Sequence, residues 1–130
     1  MRIRQIGYSV MLSAILSTSA MAEDKVVNVF NWAEYLDPKV VEQFQEETGI
    51  KVNYDVYDSN EMLEAKLMSG NTGYDVVVPT ASFLERQVQA GVYAEIDRQQ
   101  LSNYSNLDQS ILEKIAAHDP GNKHSVPYAW

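Results

Sequence analysis

Residues 26–57 read VVNVFNWAEYLDPKVVEQFQEETGIKVNYDVY. Val26–Phe30 is a short β-branched apolar run, the pattern of a strand covered on both faces. Asp37-Pro38 then supplies an N-cap followed by proline at the first helical position. Val40, Val41 and Phe44 share one helical face, and Thr48-Gly49 ends the helix with a residue suited to the left-handed C′ position. In residues 50–57, Ile50, Val52, Tyr54 and Val56 alternate with Lys51, Asn53, Asp55 and Tyr57, a period-2 strand. The stretch therefore predicts a complete β-α-β unit.

The signals continue outward in the same order. Asp58 reads as the cap of a second helix carrying Leu63 and Leu67, and Ser69–Gly73 reads as a loop. Tyr74–Val78 is a third strand stopped by Pro79. Thr80 or Ser82 can cap a third helix with Phe83, Leu84 and Val88 inward and Gly91 as its stop. Beyond it, Val92–Ile96 predicts a short strand, Ile111–Ala116 a helix, Asp119-Pro120-Gly121 a turn, and Ser125–Trp130 the start of another strand. Alternating strands and helices imply a parallel sheet with right-handed crossovers, hence one α/β domain. The aromatic, apolar ending SVPYAW leads us to expect a fragment or a truncated product.

The first 22 residues form a separate object. Arg2 and Arg4 make a short basic region, Ile6 to Leu16 is mostly apolar, and Ala20-Met21-Ala22 is a cleavage signature. We expect a Sec-type signal peptide cut after Ala22, with a short membrane anchor as the alternative. Residues 23–130 would then carry eight basic against eighteen acidic residues, a net charge of −10. Such a surface repels phosphate backbones, so nucleic acid is not an expected partner. The chain has no cysteine, which excludes disulfides, zinc–thiolate sites and cysteine nucleophiles. An exported protein without a second long apolar run points to the periplasm or to secretion.

In an open parallel sheet, ligands sit at the carboxyl ends of strands where the strand order reverses. Crossovers in opposite directions give the order 2-1-3, which sets NWAEY (31–35) opposite PTASF (79–83). Trp32 and Tyr35 offer ring faces to a cation, Glu34 a carboxylate, and Thr80 and Ser82 hydroxyls. Together they suit an ammonium ligand. Taken singly, the rings also suit core packing, the acid a wet helix start and the hydroxyls caps. No metal-ligand spacing occurs, no cofactor is implied, and His118 and His124 read as residues of a solvated loop. No GxSxG, GxGxxG or Walker-type motif is present, and Ser82 has no evident base beside it.

Residues 31–87, from NWAEY through DVVVPTASFLERQ, closely resemble the periplasmic polyamine-binding proteins of bacterial ABC transporters, and the likeness runs on through residues 101–130. The resemblance implies a periplasmic binding protein type II-like fold of which residues 23–130 are the first lobe, with a second lobe missing. It implies a monomeric, non-enzymatic receptor that closes on putrescine or spermidine and delivers it to a membrane permease. It places Trp32 and Tyr35 against the ligand's methylene chain and ammonium, Glu34 on an ammonium, and Thr80 and Ser82 as polar contacts. Ala33 departs from the serine or threonine common in the family. Glu34 is of the spermidine type and ASFLERQ of the putrescine type, with putrescine slightly favoured. The competing expectations are a receptor for another small solute, a secreted hydrolase using Glu34, and a one-lobed product without effective binding.

Overall fold

The computed structural model describes residues 25–129. The expected leader and its cleavage point after Ala22 lie outside them. The element order is β1 (Val26–Trp32), α1 (Pro38–Thr48), β2 (Lys51–Tyr57), α2 (Asn60–Met68), β3 (Val76–Val77), α3 (Ala81–Gln89) and α4 (Gln109–Ile115), with two short 3-10 turns between α3 and α4. The strands form a parallel sheet in the order β2-β1-β3, as the crossover argument requires. Val29 lies between Tyr54 and Val76, and Phe30 between Asp55 and Val77.

Local chemistry explains the boundaries. Asp37 accepts from the Lys39 amide at 2.9 Å and Pro38 opens α1. Gly49 closes it at φ 68°, its N–H donating to the Gln45 carbonyl. Ser59, not Asp58, caps α2 through its hydroxyl, which accepts from the Met62 amide at 3.2 Å. Thr80 holds the cap position of α3, yet its hydroxyl makes no capping bond. Arg86 on α3 grips Glu64 on α2 with both carboxylate oxygens within 2.9 Å, a solvent-facing clamp between neighbouring crossover helices.

The core lies on one face of the sheet. Phe30, Tyr57, Leu63 and Leu67 are buried together, with Tyr74, Val77 and Trp32 packed around them. At the end of β2, Tyr57 is 2% exposed while Val56 is 53% exposed. Val52 and Tyr54 lie on the α1 side of the strand, whereas Tyr57 joins the α2 side and supplies an apolar ring to the core. On the other face, α1 covers Val29, Val52 and Tyr54 only partly, and no α1 residue is buried.

Two expected strands are absent among the described residues. Val92–Ile96 forms no ladder; its Ile96 amide donates to the Lys123 carbonyl at 2.7 Å. Residues 125–129 also run without strand pairing. The third strand is shorter than Tyr74–Val78, because only Val76 and Val77 pair with β1. Leu63 and Leu67 on α2 and Leu84 on α3 are buried as their spacing predicts.

Candidate functional site

β1 runs two residues further than Phe30 and delivers Trp32 as its last paired residue, opposite Tyr57. A tight turn follows. Tyr35 N–H closes it by donating to the Trp32 carbonyl at 3.4 Å, and Ala33 N–H donates to the Tyr57 carbonyl at 2.9 Å. Glu34, at the corner, has φ 63°. That left-handed backbone costs a residue with a side chain about 1 kcal/mol or more, so the turn holds Glu34 there against its preference.

The exits of β1 and β3 are tied together. Trp32 Nε1–H donates to the Val78 carbonyl at 2.8 Å, and the Tyr57 hydroxyl donates to the same oxygen. Burial, partly countered by that bond, pushes the Tyr57 phenol well above its ordinary pKa, so it stays a donor. Rings continue from core to surface: Phe30 against Tyr57 at 4.8 Å, Tyr57 against Trp32 at 4.8 Å, Trp32 against Tyr35 at 6.0 Å, and Tyr35 against Tyr128 at 6.4 Å. These spacings lie within the range of favourable ring contacts. The last two members, Tyr35 and Tyr128, are both about half exposed, at 53% and 50%.

Trp32, Tyr35 and Thr80 border one open hollow at the strand exits. Thr80 and Ser82 are both exposed, their hydroxyl oxygens 3.5 Å apart, and the Thr80 amide donates to Asn60 Oδ1 at 3.1 Å. Ser82 and Glu34 do not border the hollow. Glu34 is exposed and makes no hydrogen bond or ion pair among the described residues. The hollow extends to about 1290 Å³, larger than a small-molecule pocket needs, because it runs on beneath the incompletely covered sheet face.

The solvated-loop reading of His118 and His124 needs correction. Asp119 is fully buried. Its Oδ1 accepts from His124 Nδ1 at 2.8 Å, and its Oδ2 accepts from the His124 amide and the Ser125 hydroxyl, each at 2.8 Å. Burial pushes the Asp119 carboxyl up, but the His124 ring and amide and the Ser125 hydroxyl outweigh it and hold the group below the usual carboxylate range. His118 pairs with Glu85 at 2.9 Å. Among the described residues no group of three or more His, Cys, Asp or Glu side chains could hold a metal ion. The sequence reading also passed over Tyr57 and Tyr128, whose roles depend on tertiary neighbours. Only the density of aromatic residues hinted at them.

Comparison with known proteins places this arrangement in a family. The family model described as bacterial extracellular solute-binding protein matches residues 39–130. The chain is 51% identical over 119 residues to the putrescine-binding periplasmic protein PotF of Escherichia coli (strain K12), covering 92% of this chain and 32% of the relative. It is 50% identical over 117 residues to the putrescine-binding periplasmic protein SpuD of Pseudomonas aeruginosa, covering 90% of this chain and 32% of the relative. Among solved structures, the spermidine/putrescine ABC transporter substrate-binding protein PotD of Streptococcus pneumoniae superposes with a TM-score of 0.75 at 34% identity, over 80% of this chain and 32% of that one. The chain thus spans about a third of the length of the relatives it matches. Its parallel 2-1-3 sheet with flanking helices is periplasmic binding protein type II-like, as the resemblance implied. With a family model matched over most of its length, the chain belongs to the bacterial extracellular solute-binding proteins.

Proposed function

We propose that this chain is the first-lobe portion, residues 23–130, of a periplasmic polyamine receptor that hands putrescine, or alternatively spermidine, to the membrane permease of an ABC transporter. The observation that carries the reading is that Trp32, held by its bond to the Val78 carbonyl, Tyr35, whose ring lies 6.0 Å from it, and Thr80 border one hollow where β1 and β3 end side by side. Ring faces attract an ammonium by about 0.5–2 kcal/mol each and also pack against methylenes. Glu34 provides an unpaired carboxylate on the turn between the rings, and Ser82 a second hydroxyl next to Thr80. An acidic chain, net −8 overall, favours a cationic solute over an anionic one.

The names of the relatives support the same ligand class and compartment. Export through the leader of residues 1–22, cleavage after Ala22 and action as a monomer are parts of this reading. A non-catalytic role is also part of it: among the described residues the polar partner of the Ser82 hydroxyl is the Thr80 hydroxyl, neither a base nor a carboxylate.

Calorimetric titration of the complete secreted gene product tests the proposal. Putrescine and spermidine are expected to bind, and amino sugars and free amino acids are not. Heat from the sugars alone would assign the site to another solute.

A further inference from the structure

Tyr128 makes a hydrogen bond that joins the two ends of the described chain. Its hydroxyl donates to the Tyr35 carbonyl at 3.1 Å across 93 residues of sequence, and its ring lies 6.4 Å from that of Tyr35. The segment that delivers it is firmly anchored. Asp119, fully buried, receives three hydrogen bonds from His124 and Ser125. Asn122 donates its side-chain amide to the Leu112 carbonyl at 3.1 Å, and the Lys123 carbonyl accepts from the Ile96 amide at 2.7 Å. Pro127 then restricts the backbone immediately before Tyr128. A buried carboxylate with all three partners in place is a fixed point, since losing any of them leaves a charged group unsatisfied.

The receiving end is less secure. Tyr35 is exposed, its own N–H makes only a 3.4 Å turn bond, and its neighbour Glu34 sits in a left-handed conformation. Such a turn persists only where its surroundings over-determine it. We infer that Tyr128 is a positioning residue for the ligand site: the Asp119 clasp holds the tail, and through its hydroxyl Tyr128 holds the Glu34–Tyr35 turn so that the Tyr35 ring faces the cation. Tyr128 borders the same hollow as Tyr35, so direct contact with the ligand is the rival role that the test has to separate from positioning. The inference rests on the polyamine reading above.

Tyr128→Phe in the complete secreted gene product tests it, because the ring stays and only the hydroxyl goes. Putrescine and spermidine are expected to bind about threefold to tenfold more weakly, the span of one net hydrogen bond. The melting temperature of the ligand-free protein should stay the same, because the group lost is at the surface. Amide exchange at Glu34–Leu36 should accelerate while that of Phe30 and Leu63 does not. The decisive arm is a double-mutant cycle. In a Tyr35→Ala background the carbonyl that Tyr128 bonds remains but the ring it orients is gone, so Tyr128→Phe should cost clearly less than in the parent. An equal loss in both backgrounds would mean that Tyr128 acts on the ligand or on the whole fold, and unchanged affinity with unchanged exchange at the turn would mean that the hydroxyl positions nothing. Either result overturns the inference and leaves the polyamine reading intact. A parent protein that binds neither polyamine overturns both.

Discussion

The indole Nε1–H of Trp32 donates to the carbonyl oxygen of Val78 at 2.8 Å, which locks a ring at the end of β1 to the backbone at the end of β3. A ring whose edge is fixed in this way presents its face in one orientation before any ligand arrives. Preorganisation of that kind reduces the ordering cost of binding. Trp32→Ala is therefore expected to weaken polyamine binding by about 1–3 kcal/mol, combining lost cation–π contact with lost packing. Trp32→Phe should lose less affinity and little stability, since the Tyr57 hydroxyl still satisfies the Val78 carbonyl. Calorimetry on both variants checks the order. Equal affinity of Trp32→Ala and the parent would remove Trp32 from the site.

Glu34 separates function from stability. Its φ of 63° suits glycine better than glutamate. Glu34→Gly should unfold at the same or higher denaturant concentration than the parent, relief of strain offsetting the greater freedom of glycine in the unfolded chain. It should also bind polyamine about tenfold more weakly, because a charge-assisted bond to ammonium is lost. Glu34→Gln should show the affinity loss without the stability gain. A glycine variant that binds as the parent does would make Glu34 a surface acid.

Much of this architecture was legible because local signals agreed with one another. The Asp37-Pro38 start, the Gly49 stop and the β-branched runs at 26–30 and 50–57 are short-range chemistry, and the strand order follows from crossover geometry alone. The adjacency of Trp32 and Thr80 came from the same geometry. What escaped was decided at longer range. Alternation alone does not say which face of β2 is covered more deeply, and Tyr57 is buried because α2 packs on its side of the strand. His124 looked like a loop residue until the fold brought Asp119 beneath it. Val92–Ile96 has strand-like residues, but its Val92 and Ile96 amides donate to the Gln87 and Lys123 carbonyls and no ladder forms among the described residues.

The Asp119 clasp has a pH signature. Its carboxyl is held below the ordinary range in the folded protein, while the unfolded chain has a carboxyl of pKa about 3.9. A depressed folded pKa stabilises the fold fully above the unfolded value, and that contribution fades as pH falls through the folded value. The parent should therefore lose stability as pH falls below about 5 more steeply than Asp119→Asn, which has no charge there to lose. At neutral pH the asparagine variant should be less stable by about 1–3 kcal/mol, since it breaks a buried network. Denaturant midpoints measured across that range check both statements. Parallel acid limbs would show that other carboxyls govern the transition.

Leu63 tests the core on which the site is mounted. It is fully buried, packed with Phe30, Tyr57 and Leu67 on the covered face of the sheet. Truncating a buried leucine to alanine removes its transfer energy and leaves a cavity, at a combined cost of about 2–5 kcal/mol. Tyr57 carries that loss straight to the site, because its ring packs on Trp32 and its hydroxyl bonds the Val78 carbonyl. Leu63→Ala should thus lower the denaturant midpoint sharply and also weaken polyamine binding. Met62→Ala, one residue away but 48% exposed, should do neither beyond about 0.5 kcal/mol. Comparable losses in the two variants would place the core elsewhere and leave Tyr57 without its support.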